Sequence, residues 1–141
     1  MRATTNWMLA GLLMAQAGSA AADTGHDLVQ QCEQALRLNA LGMEAVGPDA
    51  LVEGVYCVGY VGGVVDGLKL VEDLRQTPSG VKSILCLPVG GLDMGQAIRL
   101  LLDWADQHPE ELDLPASLVV HRALANTFRC DLERARPKRR K

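Results

Sequence analysis

Four cysteines, Cys32, Cys57, Cys86 and Cys130, constrain the fold of this chain more than any other feature. No two of them form a Cys-x-x-C, so the basic spacing of a zinc knuckle or a thioredoxin-like dithiol is missing. An even count in a small domain reads as two disulfides once the chain leaves the reducing cytosol. The first 22 residues supply that exit. Arg2 is the positive n-region, residues 7–15 are a short apolar run, and Ala20-Ala21-Ala22 is a small-residue cleavage site followed by Asp23. This is the pattern of a secretory signal peptide. The apolar run is shorter than the ~20 residues of a membrane span, so no stable membrane insertion is expected after cleavage. No cysteine stands near the cleavage site to take a lipid. The expected organisation is a signal peptide (1–22), one domain (23–130) and a C-terminal tail (131–141).

The chain has 141 residues, 48% of them hydrophobic and only 4% aromatic. Its length suits one domain with a single core. With so few rings, Leu, Val and Ala fill that core, which favours helices over sheets. Charge is unevenly placed. Residues 23–128 carry 6 Lys/Arg against 15 Asp/Glu, a net of −9, whereas residues 129–141 carry 7 against 2, a net of +5. An acidic body excludes a nucleic-acid partner and steers a basic one. The basic tail reads as a solvated terminus.

Residues 24–38 read as a first helix. Leu28, Cys32, Ala35 and Leu36 share one face, Thr24 is the candidate N-cap, and Asp27 lies in the first turn. Residues 39–48 form a connector. Asp49 starts a second helix that runs to about Leu74. Its Val- and Tyr-rich middle has a strand's composition, but Gly59, Gly63 and Gly67 lie four apart and share a helical face. The expectation is that this face sits at the centre of the fold against another helix of the same chain, leaving other surfaces for any dimer. Residues 75–91 hold Pro78, Gly80, Pro88, Gly90 and Gly91 and read as the main irregular stretch. Asp93 with Gln96 resembles a capping box that opens a third helix, with Ile98, Leu101, Leu102 and Ala105 as its stripe. That helix stops at His108-Pro109. Pro115 begins a fourth helix that buries Val120, Ala123, Leu124 and Phe128. The expected fold is all-α, a small up-down bundle of about four main helices with two disulfides.

No catalytic set, metal site or cofactor-binding motif emerges. His108 stands where an imidazole serves the last carbonyls of a helix. His121 is expected to be solvated or half-buried. Glu110-Glu111 is a solvated helix-end pair, and Asp66 is expected to pair with a neighbouring helix. The glycines of the second helix do not lie between a strand and a helix, so they form no phosphate loop. A Cys–His hydrolase needs a free thiolate, which the even cysteine count opposes.

Four elements nevertheless resemble a known family. Cys57-Val-Gly-Tyr-Val-Gly-Gly-Val-Val-Asp66 looks like its central signature and Cys86-Leu-Pro88 like its second element. Residues 96–109, closing on Ala-Asp-Gln-His-Pro, look like the third. Residues 118–130, from Leu118-Val-Val-His-Arg-Ala-Leu to Phe128-Arg-Cys130, look like the last. The chain resembles the immunity proteins against type VI secretion amidase effectors, the Rap/Tai type. The resemblance implies a periplasmic helical protein, usually dimeric, without catalysis of its own. Its partner would be a cell-wall amidase that cuts peptidoglycan stem peptides at a Cys–His site. Arg129 stands where many members carry proline, and the basic tail lies outside the pattern. A rival reading is a small periplasmic chaperone or stress protein that uses exposed apolar surface.

Two specific expectations complete the reading. In an up-down bundle Cys32 and Cys57 fall at similar heights, and Cys86 and Cys130 meet at the other end, so these are the two pairs. The polar loop around residues 72–82 is the candidate effector-binding element, with Arg75, Gln76, Thr77, Ser79 and Lys82 as contacts.

Overall fold

The computed structural model describes residues 24–75, 85–88 and 90–130. The signal segment and the basic tail lie outside the described residues. Four helices, α1 (Gly25–Leu41), α2 (Pro48–Arg75), α3 (Met94–Gln107) and α4 (Ala116–Thr127), form the domain, with 3-10 turns at Met43–Ala45 and Pro109–Glu111. Among the described residues there is no strand, only two isolated bridges, Thr24 with Pro115 and Leu85 with Arg129. The all-α expectation holds.

The first and third helices begin and end for local reasons. Thr24 caps α1 through a full capping box, in which its hydroxyl accepts from the Asp27 N–H while the Asp27 carboxylate accepts from the Thr24 N–H. Two further N–H groups at this end are satisfied by the connector before α4, Gly25 donating to Leu114 O at 3.0 Å and His26 to Leu112 O at 3.2 Å. Gly42, at φ 83°, ends α1, and its N–H returns to Leu38 O. The Asp93 side chain accepts from the Gln96 N–H at 2.9 Å and opens α3. His108 closes it, with Nδ1 2.8 Å from the Trp104 carbonyl oxygen, as its position before Pro109 predicts.

The core joins one face of each helix. Leu28, Cys32 and Ala35 come from α1, and Cys57, Val61 and Val65 from α2. Ile98, Leu101 and Trp104 come from α3, and Val119, Val120 and Leu124 from α4. Most of these positions are legible from helical spacing. Trp104 and Val119 were not among the expected core residues, because each sits at the margin of its apolar stripe. Both disulfides pair as expected, Cys32–Cys57 and Cys86–Cys130, each with a Cα–Cα distance of 5.0 Å. The first staples α1 to α2 inside the core. The second ties the segment before α3 to the end of α4, where the Cys86 N–H also donates to Phe128 O at 2.8 Å.

The structure overturns the expected position of the glycine face. An added Cβ at Gly59, Gly63 or Gly67 would find nothing within 4 Å. No helix of this chain covers them among the described residues, and α2 buries only its opposite side. The glycine that allows close approach is Gly54, whose added Cβ would stand 3.1 Å from the Ala35 backbone of α1 and against the Leu38 side chain. The apolar run of α2 is long enough to cross a membrane by length and composition, but its buried side is part of the bundle core and is disulfide-linked to α1.

Candidate functional site

The loop expected to bind a partner lies largely outside the described residues. Gln76, Thr77, Ser79 and Lys82 fall there, and Arg75 is described only as the last residue of α2. The structure carries α2 to Arg75, one residue past its expected end, so residues 72–75 of the candidate element are helix and not loop. It also describes the two supports of the segment. One is the C-terminal end of α2. The other is the Leu85–Pro88 stretch, held to α4 by the Leu85–Arg129 bridge and the Cys86–Cys130 disulfide.

Between these supports lies a groove of about 680 Å³, lined by Leu68, Lys69, Glu72, Leu85, Pro88 and Gly91 among others. Glu72 Oε1 is buried there without a hydrogen-bond partner. Lys69 pairs with Asp66 one turn earlier, at 3.8 Å. Asp66 therefore pairs along its own helix, not across to a neighbouring one as expected, because among the described residues no other helix covers its face. A second groove, of about 450 Å³, lies where α1, α2 and the start of α3 meet, with Asn39, Val58, Met94 and Arg99 in its walls.

The titratable groups serve the fold. The Thr24 hydroxyl donates to Asp27 Oδ2 at 2.7 Å and the Thr24 N–H to the same oxygen at 3.0 Å. These bonds hold the Asp27 carboxyl below the usual carboxylate range, the hydroxyl contributing most. The His26 ring lies 3.5 Å from Asp113, both exposed. Glu111, expected to be solvated, instead receives the Arg122 guanidinium and ties the α3–α4 connector to α4. His121 is half-buried. All four cysteines are oxidised in pairs, so the folded chain offers no thiol nucleophile. Among the described residues no group of His, Cys, Asp and Glu has the placement to hold a metal ion.

This arrangement defines a small, disulfide-stapled helical domain whose polar groups cap helices and join connectors. The chain belongs to the Rap1a immunity protein family, which matches residues 24–130, the whole helical domain. It is the type VI secretion immunity family that the four sequence elements resemble, and membership implies binding of a cognate effector. Neither a curated protein nor a solved structure matches the chain.

Proposed function

We propose that this chain is a periplasmic immunity protein that binds a peptidoglycan amidase effector of type VI secretion and blocks its active site. It acts as a homodimer, is exported by residues 1–22, and catalyses no reaction itself. The observation that carries this reading is the family match across the entire helical domain. Two disulfides support the oxidising compartment, since such bonds do not persist in the cytosol.

Occlusion is assigned to the segment after α2, with Arg75, Gln76, Thr77, Ser79 and Lys82 as the contacts. Its flanks are anchored by a helix end and a disulfide, and a loop on a rigid scaffold can enter a cleft without losing much entropy on binding. The acidic body, at net −9, speeds encounter with a basic effector. The experiment replaces residues 75–82 with a Gly/Ser linker, checks folding by circular dichroism, and measures inhibition of the amidase encoded beside this chain's gene. Lost inhibition with retained folding supports the loop. Full inhibition rejects the loop, and no binding by the intact chain rejects the amidase as its target.

A further inference from the structure

The groove between the end of α2 and the Leu85–Pro88 stretch holds negative charge that the helical domain leaves unanswered. Glu72 Oε1 is buried there without a hydrogen-bond partner, and Asp73 lines the same groove. Neither carboxylate has an ion-pair partner among the described residues, since Lys69 in the same wall pairs with Asp66. A carboxylate oxygen withdrawn from water and left unpaired is costly. Residues 72–75 are the last turn of α2, so the C-terminal end of the helix adds its partial negative charge. The other walls include Leu68, Leu85 and Pro88. Carboxylates among apolar walls fit a cation carried on a hydrocarbon stem, the side chain of an arginine or a lysine.

The chain itself brings such side chains to this place. Cys86 lines the groove and is bonded to Cys130, with 5.0 Å between their Cα atoms. Residue 130 is the last one described, so the tail that follows starts from the wall of the groove. Residues 134–141, Arg-Ala-Arg-Pro-Lys-Arg-Arg-Lys, hold six Lys/Arg and no Asp/Glu. The acidic residues of the tail, Asp131 and Glu133, belong to the stretch before them. At up to ~3.5 Å per residue, Arg134 reaches roughly 14 Å from Cys130 and Arg136 roughly 21 Å. That reach covers a groove of about 680 Å³ whose wall includes Cys86. So short a tether holds the tail at an effective concentration on the order of millimolar.

We propose that the basic C-terminal tail docks into this groove of its own chain, with the Arg134 and Arg136 guanidinium groups on Glu72 and Asp73. Pro137 favours an extended backbone at Arg136, and residues two apart in an extended chain point the same way, so both arginines enter together. The planar fork of an arginine matches a carboxylate, and its stem packs on the leucines and Pro88. Docked, the tail covers the groove at the foot of the segment assigned to effector contact, and a basic group of another protein enters only by displacing it. Residues 76–84 also border the groove in sequence, but they hold a single cation, Lys82, against the six of the tail. The disulfide fixes the origin of the tail at the groove, whereas nothing fixes a foreign ligand there. The inference is independent of the effector's identity and of the amidase reading.

The test adds a fluorescein-labelled peptide of residues 131–141 to the oxidised intact chain and to a chain ending at Glu133, and follows anisotropy at low ionic strength. The truncated chain is expected to bind the peptide saturably. With a Kd of ~0.1 mM against a millimolar effective concentration, the intact chain binds it about tenfold more weakly, because its own tail fills the groove. Glu72→Gln with Asp73→Asn in the truncated chain is expected to weaken binding by about tenfold or more. Glu44→Gln with Asp49→Asn removes the same charge near the start of α2, roughly 35 Å from Glu72 along the helix, and is expected to weaken binding less than about twofold. Circular dichroism checks that each variant keeps its helices. No binding by the truncated chain, equal binding by truncated and intact chains, or equal losses from the two carboxylate pairs overturns the docked tail. So does a truncated chain that takes the peptide only after Lys82→Ala, which assigns the groove to residues 76–84. No effector enters the experiment, so its failure leaves the immunity reading to its own test.

Discussion

The His108 ring stacks on the Trp104 indole with 4.4 Å between centroids, while its Nδ1 reaches the Trp104 backbone carbonyl at 2.8 Å. One side chain thus closes α3 and covers a core tryptophan. Facing a carbonyl oxygen, Nδ1 carries the hydrogen, which fixes the tautomer of the neutral ring. His108→Ala removes both contacts and is expected to lower stability by about 1–2 kcal/mol. Urea denaturation followed by Trp104 fluorescence checks this. A change below a few tenths of a kcal/mol would reduce His108 to a surface residue.

The two disulfides close loops of sequence separation 25 and 44. Chain entropy assigns each about 3–4 kcal/mol, slightly more to the longer. Cys32→Ala with Cys57→Ala also opens a fully buried site, so that pair is expected to cost the more of the two despite its shorter loop. Thermal melts of the two double variants decide the order. Peptide mapping of the non-reduced chain checks the pairing itself, and a Cys57–Cys86 link contradicts it.

Glycines at two positions of α2 should respond in opposite directions. Gly54→Ala drives a Cβ into the Ala35 backbone at the α1–α2 crossing and is expected to destabilise by about 1–3 kcal/mol. Gly63→Ala meets open space in the protomer. There it should stabilise by up to about 1 kcal/mol, the helix-propensity difference. Denaturation at concentrations low enough to keep the protomer alone reads both effects. Equal losses at the two positions would place a chain segment over Gly63.

Asp27 gives the N-terminal cap a pH dependence of known sign. Its carboxyl is held below its ordinary value by the Thr24 hydroxyl and N–H. A depressed folded-state pKa contributes stability above the unfolded value of about 3.9, and that contribution disappears as pH falls through the lower folded value. Asp27→Asn should therefore be less stable than the parent at neutral pH, with the gap closing in acid below pH ~4. Paired denaturation curves across that range test it, and a gap independent of pH refutes the carboxylate's role.

Association with a basic effector should slow as salt rises, because a body at net −9 attracts it over a Debye length of about 10 Å at 0.1 M. Stopped-flow association at rising ionic strength reads this. A rate that does not change with salt would mean that encounter is governed by contact chemistry alone.

Most of the architecture is fixed by local chemistry and so can be read along the chain. Thr24 with Asp27, Asp93 with Gln96 and His108 before Pro109 set helix ends through contacts within four residues. Leu28, Cys32 and Ala35 mark an inward stripe because α1 is polar on its other side. The disulfide pairing follows from helix order and rise. The residues for effector contact are not fixed in this way, since a binding loop answers to its partner's surface and not to its own core.

The inward face of α2 was decided only by tertiary structure. This helix is apolar on nearly every side, so hydropathy gives no direction, and glycines at a spacing of four mark a close approach without saying whether the neighbour lies within the chain or outside it. One sequence signal did bear on the choice. Cys57 must face α1 to bond Cys32, and Gly59, two residues further on, lies about 200° around the helix. The disulfide that staples α2 to the core therefore turns the glycine stripe outward. Cysteine spacing determines that rotation once the pairing is known, whereas only the packed structure shows that α1, α3 and α4 together leave the stripe uncovered.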